Sequence, residues 1–307
     1  MTDTFIITLN QILKLFLFMA LGYAFNKSKL YPPEFSSILS KLEVHVFMPA
    51  LVFNTFSANF RLSVLRENSA YLVAGLILLL ASFALALVLS RVFARDRMTR
   101  DVYVYAFTIP NLGYMGYPLV EAVFGETALF HMMILVLPFN LFIYTIGMYI
   151  LNPRREMKLT TVLNPTMIAL AIGAVFGIAQ WKLPSFLSAA CDSASACMAP
   201  SAMMLAGYVL AKSPLKEMGR DWKIYAASLV RLIGIPALAF AGMRLCHVST
   251  EIILIACAML AMPLGLNTVV FPEAFGGDSA TGSKACFISN ILGLVTIPLV
   301  FSLLAAL

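Results

Sequence analysis

The chain has 307 residues, of which 61% are hydrophobic and only 12% charged, with a formal net charge of +6. Soluble domains carry roughly 25% charged residues. The composition therefore excludes a soluble globular domain and leaves an all-α polytopic membrane protein. The five cysteines (Cys191, Cys197, Cys246, Cys257, Cys286) form no C-x-x-C and lie mostly in apolar segments. They read as small core residues, with no disulfide framework and no metal site.

Apolar segments long enough to cross a bilayer recur along the whole chain. In order they are Thr4–Phe25, Phe35–Phe56, Ala70–Phe93, Val102–Phe124, Thr127–Leu151, Asn164–Gln180, Pro184–Ala211, Ile224–Leu245, Ile252–Phe275 and Ala285–Leu304. The first lacks a basic leader and a small-residue cleavage site, so it reads as a retained span. One set of span ends holds fourteen basic residues: Lys27, Lys29, Arg91, Arg95, Arg97, Arg100, Arg154, Arg155, Lys158, Lys212, Lys216, Arg220, Lys223 and Lys284. The other set holds four: Arg61, Arg66, Lys182 and Arg244. The positive-inside rule puts the richer set in the cytoplasm and both termini outside. That bias accounts for the net charge through anionic lipid, without a nucleic-acid partner.

Spans 4 and 9 are broken. Span 4 carries Pro110-Asn111-Leu112-Gly113 and runs on to Pro118; span 9 carries Met262-Pro263-Leu264-Gly265-Leu266-Asn267 and then Pro272. Proline removes a backbone donor and clashes with the preceding turn. In a bilayer the freed peptide groups must be satisfied within the protein. Paired interruptions in the two halves point to a midplane binding site in a secondary transporter.

The halves echo each other. Pro49 and Pro200 are 151 residues apart, Pro110 and Pro263 are 153 apart, and Glu121-Ala122 and Glu273-Ala274 are 152 apart. Five spans per half is an odd number, so the second half enters from the opposite face. The expected architecture is a 5+5 inverted repeat of ten spans, residues 1–153 and 154–307, with helices 4 and 9 broken and crossed. Pro138, Pro236 and Pro298 read as packed helix prolines without a ligand.

Half-helix N-termini offer free N–H groups and a partial positive charge to an anion. Asn111 and Asn267 add amide donors and acceptors, and Gly113 lets the backbone approach closely. Pro110, Asn111, Gly113, Pro263 and Asn267 are the expected substrate site; the alternative is that the asparagines merely cap broken backbone. Asn140 and Thr145 on span 5 and Asn290 on span 10 are coupling-ion candidates, with ordinary interhelical hydrogen bonding as the alternative. His45 and Asp192 are candidates for proton coupling. Lys14 and Arg231 are intramembrane charges: Asp192 either relays a proton or neutralises Lys14, and Arg231 either draws an anion or locks the core to itself. Glu121 and Glu273 mark the ends of the crossed helices, with a gate role as a further reading.

Asn111-Leu112-Gly113-Tyr114-Met115-Gly116-Tyr117-Pro118 resembles the N-x-G-[FY]-M-G-x-P signature of the auxin efflux carrier family. Ala261-Met262-Pro263 with Asn267 and Gly276-Gly277-Asp278 is similar to that family's second crossover. Gly22-Tyr23 and the stretch from Lys41-Leu42 to Pro49-Ala50-Leu51 fit as well. The resemblance implies a supporting panel of spans 1, 2, 6 and 7, a moving core of spans 3–5 and 8–10, and a homodimer through the panel. It implies carriage of small organic anions, auxin-like or malate- or malonate-like. The short Asn152–Lys158 loop fits a compact bacterial type in the inner membrane. Bile-acid sodium symporters share the architecture, so a sodium-coupled carrier of that kind is the alternative, as is a ligand-binding membrane sensor. Glu43, His45 and Lys284 depart from the pattern. No HExxH, G-x-S-x-G or Walker motif points to an enzyme, and no cofactor is expected; the coupling ion is a proton or sodium, the proton preferred.

Overall fold

The computed structural model describes residues 2–154, 165–212 and 221–306. Arg155, Lys158, Asn164, Lys216 and Arg220 lie outside the described residues. Among the described residues the chain is helical, and the only β-type pairing is one isolated bridge.

Besides a short helix at Leu62–Glu67, the helices are α1 (Thr2–Lys27), α2 (Phe35–Ala58), α3 (Ser69–Phe93), α4 (Arg97–Thr108), α5 (Tyr117–Phe124) and α6 (Glu126–Leu151). Then come α7 (Pro165–Ala179), α8 (Ser185–Leu210), α9 (Trp222–Leu245), α10 (Thr250–Leu260), α11 (Asn267–Phe275) and α12 (Ser279–Leu304). Six of them, α2, α3, α6, α8, α9 and α12, are long and apolar enough to cross a membrane. Their outer faces are apolar too: Ile77, Leu80, Val88 and Val92 on α3 and Val295 and Leu299 on α12 are exposed. In water such faces would aggregate; in lipid they are the solvated side.

Two starts differ from the sequence expectation. α4 begins at Arg97 and α12 at Ser279, several residues ahead of the apolar runs. Asp96 and Asp278 explain both, because their carboxylates accept the Thr99 and Thr281 backbone N–H groups and so cap the helices. Lys284 therefore sits inside α12 and not at its start.

α1 packs on α8 and α2 packs on α7 and α8, which together form a panel. The α1–α8 contact is backbone against backbone. Gly22 lies against the Met204 carbonyl and Gly207 against the Met19 carbonyl, where any Cβ would collide. Small residues allow this approach, which is how helices associate where water exclusion gives no drive. α3, α4 and α6 pack together, as do α9, α11 and α12.

Several helices widen by one residue. π-Turns occupy Glu43–Phe47 in α2, Leu112–Gly116 ahead of α5, Ile143–Gly147 in α6 and Val230–Gly234 in α9. Pro49, Pro118 and Pro236 each follow such a turn by two residues. A wider turn relieves the clash between a proline ring and the carbonyl four residues back.

Candidate functional site

α4 ends at Thr108, and Ile109 leaves it in an extended conformation, as the residue before a proline prefers. The second break lies between Leu260 and Asn267. The two breaks meet. Pro110 and Leu264 form an antiparallel bridge, and the Asn111 N–H donates to the Pro263 carbonyl at 2.9 Å. Gly265 lies against the Ile109 and Pro110 carbonyls, with a Cβ at that position in van der Waals contact with both.

Most of the freed backbone finds partners. Arg231, fully buried on α9, donates from Nη1 to the Phe107 carbonyl at 2.9 Å. That carbonyl belongs to the last turn of α4, where a cation suits the helix dipole. The Leu264 N–H donates to Ser289 Oγ, and Thr268 Oγ1 donates to the Gly265 carbonyl. Arg231 thus ties α9 to the end of α4, while its Nε and Nη2 have no partner.

The asparagines are different. Asn111 is 1% exposed, makes no side-chain cap bond, and leaves both Nδ2 and Oδ1 without a partner. Asn267 donates from Nδ2 to the Tyr105 hydroxyl at 3.0 Å, while its Oδ1 has no partner. Both face a cavity of about 40 Å³, room for water-sized occupants. Its wall is completed by Asn140 and Tyr144 of α6, Thr55 of α2 and Met198 of α8. Helices α2 and α8 of the panel therefore share it with the crossing and α6.

Of the other predicted residues, Pro110 lines the cavity, Pro263 supplies the bridging carbonyl, and Gly113 lies in the π-turn Leu112–Gly116. Thr145 donates its hydroxyl to the Leu141 carbonyl of its own helix. Asn290 donates likewise to the Cys286 carbonyl, leaving Oδ1 unpaired. Asp192 is exposed and accepts from Asn54 Nδ2 at 2.9 Å, so its partner is Asn54 and not Lys14. Lys14, His45 and Glu121 are exposed, with His45 Nδ1 against the Lys41 carbonyl at 2.8 Å. Tyr105, Thr55 and Met198 carry no signal in the sequence; one tyrosine or methionine among many apolar residues looks like core.

A second polar cluster lies at the end of the bundle that carries Lys27 and Lys212. Glu273, in the last turn of α11, accepts through Oε1 from Ser36 Oγ and from Lys212 Nζ at 3.1 Å, and through Oε2 from Ser279 Oγ. Lys212 Nζ also donates to Ser36 Oγ at 2.8 Å. Ser36 lies on α2 and Lys212 just past the end of α8, whereas Glu273 lies on α11 and Ser279 opens α12. Ser283 Oγ, donating to the Ala206 carbonyl, adds a further tie across the same seam.

The family described as "Membrane transport protein" matches residues 7–162 and 155–301, nearly the whole chain. The chain belongs to the membrane transport protein family. It is similar to "Uncharacterized transporter YfdV" of Escherichia coli, 20% identical over 304 residues, covering 95% of this chain and 96% of that one. It is also similar to "Uncharacterized transporter MJ1031" of Methanocaldococcus jannaschii, 24% identical over 302 residues and 95% and 97% of the two chains. Membership of the membrane transport protein family makes the chain an integral membrane transporter.

Proposed function

We propose that this transporter is a secondary active carrier of small organic anions that works by alternating access. The observation that carries the reading is the pair of asparagines at the crossing. Three buried polar atoms, Asn111 Nδ2 and Oδ1 and Asn267 Oδ1, are unspent where two half-helices start. Unsatisfied buried polar groups cost about 1–3 kcal/mol each, so a fold that keeps them has a use for them. An amide donor and the positive ends of two helices suit a carboxylate. The remaining oxygens suit a hydroxyl, a second protonated carboxyl or a cation.

The ten-span inverted repeat is part of this reading. Segments related by an inverted repeat run in opposite directions where they meet, and the antiparallel bridge between Pro110 and Leu264 supports that relation. With the basic end in the cytoplasm, the Glu273–Lys212 seam closes the cytoplasmic side. Panel and core then rock about the cavity, and the seam must part for release inward.

The test is counterflow in proteoliposomes, using labelled malonate, malate and indole acetate as probes. Exchange of at least one probe by the wild-type protein, lost in Asn111→Ala and Asn267→Ala variants that still insert, is the expected result. Ligand-induced stabilisation without counterflow makes the protein a sensor. Normal exchange by both variants makes the crossing purely structural.

A further inference from the structure

Glu43 lies in the π-turn of α2, fully buried, and faces α8. Its Oε1 is 2.5 Å from the Ser201 hydroxyl, and its Oε2 has no partner. Ser201 Oγ is also 2.6 Å from the Cys197 carbonyl oxygen, with the Met198 carbonyl farther off at 3.2 Å. A hydroxyl has one proton, and a carbonyl only accepts. If the Ser201 proton goes to Cys197, the contact with Oε1 needs a proton that only the carboxyl can supply. If it goes to Glu43 instead, two oxygens face each other at 2.6 Å with nothing between them. A neutral Glu43 that donates to Ser201, which in turn donates to Cys197, uses each proton once.

The elements packed against the turn bring no countercharge to it. α7 carries no ionisable side chain. Beside Glu43 on the chain, Glu34, Lys41 and His45 are exposed. On α8, Asp192 is held by Asn54, Cys197 is exposed, Cys191 is half-buried, and the Tyr208 hydroxyl donates to the Pro32 carbonyl. On α11, which also packs on the turn, Glu273 is committed to Ser36, Lys212 and Ser279. An ionised carboxyl buried without a partner costs several kcal/mol.

We propose that Glu43 is a proton-binding site of the transport cycle, and that the basic end of the carrier closes only while that site is filled. This rests on the carrier reading above. When panel and core part at the basic end, water reaches the turn, the carboxyl O–H bond breaks, and the proton passes to water. Before α11 can pack back onto the turn, the carboxylate must take a proton from the same side. Acidifying that side therefore favours the closed seam.

The experiment follows seam opening with Ser40→Cys, at a buried position one turn from Ser36 on the same face of α2. It uses full-length protein with the five native cysteines replaced, an impermeant maleimide on the basic side, and Glu43→Gln in the same background. Labelling of the Glu43 protein, relative to Glu43→Gln at each pH, is expected to fall by up to about tenfold per unit of acidification, the limit for one linked proton. Glu43→Gln should stay closed throughout. An identical pH dependence in both proteins overturns the inference. The carboxylic-acid C=O stretch in infrared difference spectra gives a second reading: a band at neutral pH that Glu43→Gln removes supports it, and no such band overturns it. Missing counterflow with intact pH-linked labelling would break the carrier reading alone. Counterflow with labelling indifferent to Glu43→Gln would break this inference alone.

Discussion

The crossing and the basic-end seam are both polar clusters between panel and core, and they treat hydrogen bonding in opposite ways. At the seam, Glu273 uses both oxygens on three donors, from Ser36, Lys212 and Ser279. At the crossing, Asn111 uses neither end of its amide. A filled network holds two bodies together; an unfilled one waits for a partner. On the carrier reading proposed above, the contrast assigns closure to the seam and recognition to the crossing.

The comparison breaks most severely at the tie between α9 and α4. Arg231→Ala removes a fully buried side chain and the cap on Phe107 together. It should cost about 3–5 kcal/mol by large-to-small truncation and a lost buried hydrogen bond, read as a lower unfolding midpoint in detergent. A midpoint like that of the unmodified protein would mean that the crossing stands without that tie. Next come Asn111→Ala, which should leave stability nearly intact, and Asn267→Ala, which also orphans the Tyr105 hydroxyl and should cost about 1 kcal/mol of stability. Each should weaken the half-saturation of counterflow by about ten- to a hundredfold, the value of a hydrogen bond to a charged ligand. If stability falls and affinity does not, these amides belong with the seam as structure.

Smaller effects sharpen the contrast. Lys212→Met removes one donor from Glu273 at a partly exposed site, worth roughly 0.5–1 kcal/mol. It should shift the open-to-closed ratio by about two- to fivefold, measured as faster labelling in the Ser40→Cys background. Unchanged labelling would remove Lys212 from the latch. Thr145→Val deletes a hydroxyl that serves only its own helix turn, and counterflow should change by about twofold or less. A large loss there would return Thr145 to the site.

Much of the crossing was legible because proline and glycine act locally. Pro110 and Pro263 announce broken backbone wherever they stand in an apolar run, and Asn111 and Asn267 announce polar atoms beside the breaks. What those atoms touch is decided by other helices. Nothing about Tyr105 marks it as the partner of Asn267, or Thr55 and Met198 as the opposite wall, because the contacts join residues far apart in sequence. Arg231 was visible as a buried charge, but its target is a main-chain carbonyl, which carries no residue-type signal. The caps at Asp96 and Asp278 escape an apolar-pattern reading, because the apolar runs start several residues after them. Three of the four π-turns end two residues ahead of a proline, at Pro49, Pro118 and Pro236, a regularity that only the folded backbone reveals. For Glu43 the sequence indicated an oddity, and the single proton of Ser201 gave it a chemical meaning.

The bond from Asn111 to Pro263 joins main-chain atoms. Replacing side chains leaves such a donor and acceptor where they are, so on the carrier reading the scaffold at the crossing is insulated from changes in the residues around the cavity. On that reading, exchanging the amides for other groups would keep the same pivot, so one architecture would have room to diversify what it carries without a new way to fold.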